Sequence, residues 1–147
     1  MQGTVEAILQ RKGARVWTVH AEATVFEAIE IMAERNIGAL VVVSKGKLAG
    51  IFTERDYTRK VALLGKSSKE TQVSEIISTR LIVASPDSTI EECMRMMTEH
   101  RVRHLPVLRG ETVMGLISIG DLVNWIISAQ SVEIDQLHSY IAGQYPG

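Results

Sequence analysis

The same pattern of residues occurs twice along the 147-residue chain, at a constant spacing of 65 positions (Thr24 to Thr89). Three pairs of segments keep this spacing: 24–29 with 89–94, 39–43 with 104–108, and 50–56 with 115–121. Neither copy has therefore gained or lost a residue across this region. A small repeated unit that cannot bury its apolar face alone buries it against its copy. We expect two pseudo-symmetric halves, with a pair of clefts at their junction.

Each copy predicts a helix, a β-hairpin and a second helix. Thr24 and Thr89 are each followed three positions later by a glutamate, a capping-box pattern typical of a helix start, and apolar residues then recur at helical spacing. β-Rich runs interrupted at Gly46 and Gly110 predict a hairpin after each helix. The expected strands are 39–43, 48–53, 104–108 and 113–118, and the second helices lie near 54–64 and 120–129.

Short extended segments precede the units at 16–19 and 81–84, and similar stubs precede those at 5–9 and 73–77. The predicted fold is thus mixed, α+β or α/β, with strand, helix, strand, strand, helix in each repeat. The predicted boundaries are 5–64 for the first repeat, 65–72 for a polar linker, 73–129 for the second repeat and 130–147 for a tail. In that tail Ile134, Leu137 and Ile141 stand at helical spacing, which predicts a final helix.

Composition argues against several classes of function. The 16 basic and 17 acidic residues are interspersed and give a net charge of −1, so neither a nucleic-acid nor an acidic-membrane partner is expected. Cys93 is the single cysteine and falls on an apolar helix face, which predicts a buried structural thiol. The four histidines lack metal-ligand spacing, so no metal site is predicted. No apolar stretch is long enough for a signal peptide or a membrane span, and we expect a cytoplasmic protein.

The repeated motifs resemble those of a tandem pair of cystathionine-β-synthase (CBS) domains, an arrangement called a Bateman module. The resemblance rests on the helix starts at Thr24 and Thr89, on the segment 103–107, and on the Gly-x-x-[Thr/Ser]-x-x-Asp sequence that ends each hairpin. It covers residues 5 to 128. It implies two repeats packed sheet to sheet, adenine nucleotides bound in the two clefts between them, and a homodimer.

Within this resemblance, the two Asp-containing motifs are candidate nucleotide sites. Thr53 and Ser118 lie where a strand becomes a helix, where free backbone N–H groups and a hydroxyl favour a phosphate. Asp56 and Asp121 are placed to accept hydrogen bonds from a ribose, and Gly120 allows a ligand to approach closely. The alternative is that each Thr/Ser–Asp pair only caps its helix.

The resemblance also implies which residues of the opposite repeat complete each cleft. For the Asp121 cleft they are Thr18, Ile37, Gly38, Arg103 and His104, the last two near phosphate. For the Asp56 cleft they are Val83, Val102, Arg103, Gly38, Ala39 and Arg55. Gly38 and Ala39 occupy the positions that Arg103 and His104 occupy in the second copy, so we expect the clefts to differ in affinity or in the nucleotide they prefer.

The leading hypothesis is a non-enzymatic regulatory module that binds AMP, or another adenine nucleotide such as ADP or ATP, and signals to an unknown protein partner. One alternative is an NAD(H)-binding redox sensor, whose AMP half would use the same groups. Another is an interaction scaffold with degenerate clefts. An enzyme is not expected, because Glu54 and Asp56 point to different sides of a helix and no nucleophile, base or metal cluster can be assembled from the sequence.

Overall fold

The computed structural model describes residues 3–13, 15–77 and 81–129, and these residues form two similar units of helices and strands. The first part of the chain contains helix α1 (Val5–Lys12), strand β1 (Thr18–His20), helix α2 (Val25–Arg35), strands β2 (Ala39–Ser44) and β3 (Lys47–Thr53), and helix α3 (Glu54–Tyr57), which continues as a π-helical turn (Thr58–Ala62). A 3₁₀ turn (Val73–Glu75) leads to helix α4 (Ile90–His100) and strands β4 (His104–Arg109) and β5 (Thr112–Ser118). Residues 119–129 form helix α5.

The two sheets follow the same plan but differ in size. In the first sheet β1 runs parallel to β2, and β2 runs antiparallel to β3. The second sheet contains the antiparallel pair β4 and β5. Where a strand was predicted at 81–84, a single parallel bridge joins Ala84 to Val107, the repeat equivalents of the paired residues Val19 and Val42. The fold class is confirmed, with this predicted strand reduced to one bridge.

The helix starts predicted by the two threonines are confirmed. Thr24 Oγ1 accepts a hydrogen bond of 3.1 Å from Glu27 N, and Thr89 Oγ1 accepts one of 3.1 Å from Glu92 N, which satisfies a free donor of each first turn. Both helices are eleven residues long and end at a residue in the left-handed conformation, Asn36 in one and Arg101 in the other. The face that each helix buries is the predicted apolar one: Val25, Ala28 and Met32 in α2, and Ile90, Cys93 and Met97 in α4.

Each hydrophobic core includes a segment from the part of the chain that was assigned to the other repeat. Val5, Ile8 and Leu9 of α1 pack into the core of the second unit, whereas Val73 and Ile76 pack into the core of the first. The backbone shows the same exchange, because Val5 N donates to Ser88 O and Val73 N donates to Ala23 O, each at 2.9 Å. The two segments predicted as extended are instead the helix α1 and the 3₁₀ turn Val73–Glu75. Each packs into the core of the repeat to which the predicted boundaries did not assign it.

The predicted tail helix with Ile134, Leu137 and Ile141 lies outside the described residues. Within the described ranges, no helix has the length and apolar character needed to cross a membrane.

Candidate functional site

A cleft of about 670 Å³ opens between the two units at the Asp56 motif. Both repeats contribute to its wall: Gly38, Ile51, Thr53, Glu54, Arg55, Asp56 and Arg59 from the first, and Leu81, Ile82, Arg101, Val102, Arg103 and His104 from the second. Its volume falls within the range of about 300–1,000 Å³ that is common for small-molecule sites. A ligand bound here would contact both halves of the molecule at once.

The Asp56 motif is held rigidly by hydrogen bonds at the junction of β3 and α3. Thr53 Oγ1 accepts from Asp56 N at 3.1 Å, and Asp56 Oδ2 accepts from both the backbone N and the hydroxyl of Thr53 at 3.0 Å. These contacts form a complete capping box. Lys60 Nζ lies 3.4 Å from the other carboxylate oxygen, Asp56 Oδ1, and donates to the carbonyl of Ile76 at 2.9 Å. Asp56 therefore caps α3, as the alternative interpretation of this motif expects, and the capping box fixes the carboxylate at the edge of the cleft.

The cleft is lined by four arginines, two from each repeat. Arg55 and Arg59 stand four residues apart on the helical segment after β3, and Arg101 and Arg103 stand on the connection between α4 and β4. Among the described residues no carboxylate lies within 4.0 Å of any of these four guanidinium groups. An unoccupied group of like charges favours an anionic ligand, because guanidinium groups bind phosphate and carboxylate through paired hydrogen bonds.

His104 links the two motifs electrostatically. It lines the Asp56 cleft and is paired across the hairpin with Ser118, the first residue of the Asp121 motif. Burial lowers the pKa of His104 below the ordinary 6.5. The positive charges of Lys12 and Arg103 lower the pKa further, whereas the negative charges of Asp121 and Glu54 raise it in part. One carboxylate from each motif therefore acts on the charge of the imidazole, which lies between the two motifs.

The Asp121 motif repeats the capping geometry but has a different neighbour. Asp121 Oδ2 accepts from Ser118 N at 2.8 Å, and Ser118 Oγ accepts from Asp121 N at 3.1 Å. Lys12, at the end of α1, places its Nζ 2.7 Å from the same Oδ2 and 3.1 Å from the carbonyl oxygen of Leu116. At the equivalent position in the first repeat Asp56 meets Lys60 of its own helix, so the two motifs are not equivalent.

The structure separates the predicted site residues into two groups. Those that line the Asp56 cleft are Gly38, Thr53, Arg55, Asp56, Val102, Arg103 and His104; the resemblance had placed His104 at the other cleft. Ala39, expected in the Asp56 cleft, is instead buried in β2 at 3% exposure, and Leu81 and Ile82 take the place expected for Val83. Thr18, Ile37, Ser118, Gly120 and Asp121 are not part of this wall, and Ser118 and Asp121 form the second motif.

Other residues of the site were missed by sequence reasoning. Arg59 follows Arg55 by four positions on a predicted helix, so helical spacing could have identified it. Arg101 adopts the left-handed conformation that ends α4, and no local pattern pointed to the cleft. Lys12 is 109 residues from its partner Asp121, a pairing that only the fold reveals. Within the described ranges no cluster of three or more His, Cys, Asp or Glu side chains could hold a metal ion.

Comparison with known proteins agrees with this architecture. The family model of the CBS domain matches residues 5–63 and 73–128. A CBS domain-containing protein of Arabidopsis thaliana, CBSX3, which is mitochondrial, is 38% identical over 97% of this chain and 73% of its own length. A location in the cytoplasm therefore remains a prediction.

Solved structures give the same result. A CBS-domain protein from Burkholderia ambifaria, proposed to act in signal transduction, superimposes with a TM-score of 0.83 at 50% identity, covering 87% of this chain and 96% of that one. The CBS domain pair of protein MJ0100, solved with 5′-methylthioadenosine and S-adenosyl-L-methionine, superimposes with a TM-score of 0.75 at 25% identity, covering 86% and 98%. With two matching segments, the same fold and close relatives along nearly its whole length, the chain belongs to the CBS-domain family as a tandem pair.

Proposed function

We propose that the protein is a non-enzymatic regulatory module that binds an adenine nucleotide in the Asp56 cleft and signals its occupancy to a protein partner. The observation that carries this proposal is the fixed Asp56 carboxylate at the edge of a cleft lined by four arginines without carboxylate partners among the described residues. One end of the cleft thus offers an acceptor for hydroxyl groups, and its wall offers donors for phosphate.

Each chemical group of the proposed ligand has a matching group in the cleft. Ribose hydroxyls donate to Asp56, the base lies against the apolar part of the wall formed by Ile51, Leu81, Ile82 and Val102, and phosphate meets the arginines. The CBS domain pair of MJ0100, solved with two adenosine-containing ligands, supports an adenosine compound as the ligand class. Because both repeats line the cleft, a bound nucleotide joins them, and that change in their coupling is the signal that a partner could read.

Isothermal titration calorimetry with AMP, ADP, ATP, NAD and NADH tests the proposal. Asp56→Ala should weaken nucleotide binding about 30- to 150-fold, roughly 2–3 kcal/mol, because a charged acceptor for two hydroxyls is removed. Asp87→Ala removes an exposed aspartate that does not line the cleft, so it should bind as the wild type does. Equal affinity in wild type and Asp56→Ala, with both folded, would show that Asp56 only caps its helix.

The same titration separates the alternative functions. Tighter binding of NADH than of AMP, ADP and ATP would favour a redox sensor. No binding of any of these compounds would leave the interaction scaffold as the remaining function, with clefts that hold the two repeats in place.

We also propose that the module is a homodimer formed through helices of both repeats. Val123 and Ile127 lie one turn apart on α5 and are 41% and 55% exposed, and Leu63 and Leu64, which follow the helical segment of the first repeat, are 75% and 64% exposed. Apolar side chains this exposed, on α5 and just after the helical turn of the first repeat, are typical of a surface that is buried on association. Light scattering should give twice the 16.2 kDa chain mass, and Ile127→Asp should lower it; a monomer in the wild type would overturn the proposal.

A further inference from the structure

We infer that the Asp56 cleft selects adenosine ligands that carry at least two linked phosphates, and that the Asp121 motif does not. This inference rests on the proposed function and specifies its ligand. It is carried by the number of positive groups in the cleft, by how the repeat distributes them, and by the lysine that already occupies the second motif.

The charges of the cleft exceed what one phosphate neutralises. Four guanidinium groups line the wall together with two carboxylates, Glu54 and Asp56. Asp56 is already next to Lys60, whose Nζ lies 3.4 Å from Oδ1, so Glu54 alone remains to balance the arginines. A phosphate monoester carries about 1.5 to 2 negative charges at pH 7, which leaves at least one guanidinium uncompensated. A diphosphate or triphosphate supplies the missing charge.

The internal repeat shows that these four arginines belong to one cleft alone. At the 65-residue spacing, Arg55 corresponds to Gly120 and Arg59 to Asn124. In the other direction, Arg101 corresponds to Asn36 and Arg103 to Gly38. Every arginine of the Asp56 cleft therefore has an uncharged counterpart. Since the hairpins and helix starts are otherwise equivalent, folding does not require these charges, and a ligand specific to one cleft explains them.

The second motif is satisfied from within the chain. Lys12 Nζ contacts Asp121 Oδ2 at 2.7 Å and is further fixed by the carbonyl of Leu116 at 3.1 Å. In the first motif the lysine stands farther from its carboxylate, with Lys60 Nζ 3.4 Å from Asp56 Oδ1. We therefore expect one polyphosphate site per chain rather than two.

Calorimetry at constant ionic strength, without divalent cations, tests this assignment with adenosine, AMP, ADP, ATP and inorganic tripolyphosphate. The expected order of affinity is ATP and ADP above AMP by at least about tenfold, with one site per chain and with tripolyphosphate competing against ATP. The double variant Arg59→Gln/Arg101→Gln should reduce ATP affinity about 10- to 100-fold and remove the advantage of ATP over AMP. Arg95→Gln, an exposed arginine of α4 outside the cleft, is the matched control, and thermal melting confirms that each variant is folded.

The failure of this inference differs from failure of the proposed function. If AMP binds as tightly as ATP, or if two equivalents of ATP bind with equal affinity, the polyphosphate assignment is wrong and the nucleotide-binding function stands. If ATP affinity survives in the arginine double variant, the arginines do not hold phosphate and the assignment is again wrong. If none of the adenine compounds binds, the proposed function itself is wrong.

Discussion

Lys12 Nζ and Asp121 Oδ2 lie 2.7 Å apart although 109 residues separate them in the sequence. The contact fastens the end of α1 to the start of α5, and α1 already supplies Val5, Ile8 and Leu9 to the core of that unit. Lys12 is 37% exposed and Asp121 is 19% exposed, so solvent screens the pair in part.

A double-mutant cycle with Lys12→Met and Asp121→Asn should give a coupling free energy of about 0.5–1 kcal/mol, because the pair is partly shielded and hydrogen bonded. Urea unfolding of the four proteins measures it, and the coupling should decrease at high salt. The matched control is Lys47–Glu111, whose side chains are 67% and 80% exposed and whose nearest atoms are 3.6 Å apart. If the coupling free energy of Lys47–Glu111 equals that of Lys12–Asp121, partial burial does not strengthen the Lys12–Asp121 pair.

Acid should destabilise the protein partly through His104. Burial lowers the pKa of His104 in the folded state below its ordinary 6.5, so the unfolded chain binds a proton there more readily. Stability linked to this group is therefore complete above pH 6.5 and decreases as the pH falls below that value. His104→Gln should show a smaller loss of melting temperature between pH 7.5 and pH 5.5 than the wild type does.

His100→Gln, which removes an exposed histidine at the end of α4, controls for the loss of a histidine as such. The comparison between the two variants reports the contribution of burial at His104. An acid-induced loss in His104→Gln as large as that of the wild type would contradict the prediction.

Cys93 should be chemically inert in the folded protein. Burial, assisted by the nearby charge of Glu92, raises its pKa to about 11, and the side chain is 0% exposed. At pH 8 only about one thiol in a thousand is then ionised, and the thiolate is the reactive form. A thiol reagent such as Ellman's should react with less than 5% of the protein, roughly, over minutes in buffer, and with one equivalent in denaturant. Rapid labelling in buffer would show that the second core opens frequently.

Gly115→Ala should destabilise the contact between α1 and β5. A Cβ at this position would lie 2.5 Å from Leu9 Cδ2 and 3.2 Å from its Cδ1, so the leucine has to move within a packed core. We expect a loss of about 1–3 kcal/mol, measured by urea unfolding. Gly120→Ala is the matched control, because its Cβ would meet Ser118 Oγ at an ordinary 3.5 Å and alanine favours helix. Equal stability of the two variants would contradict the close packing of α1.

Local patterns in the sequence were sufficient for the elements whose partners are adjacent in the chain. The threonine caps, the apolar faces of α2 and α4 and both hairpins follow from spacing within about thirty residues. The strand predicted at 81–84 was not formed in full, because a parallel edge strand needs several residues close enough to the neighbouring strand to pair with it. Ala84 alone forms a bridge there. The alternation of residues in this segment carries no information about that closeness.

The residues of the site were predictable only where they lie together in one local motif. Asp56, Thr53 and Arg55 lie in one motif and were identified together. Arg101 and Arg103 approach that motif from the other repeat, and only the second of them lies in a segment whose residues matched the family pattern. The contact of Lys12 with Asp121 depends on which core α1 enters, and an apolar helix face does not specify its partner.

During synthesis on the ribosome, the segment that completes the first core is made after its partners, whereas the segment that completes the second core is made before them. Residues 73–77 follow the strands and helix that they cover, so the first unit can close as soon as they emerge. Val5, Ile8 and Leu9 precede most of their partners, such as Ala84, Leu105 and Leu122, by most of the chain and stay exposed until those residues are made. We therefore expect the apolar side chains of this segment to remain without their core partners during most of elongation, and the contact of Lys12 with Asp121 to be among the last to form.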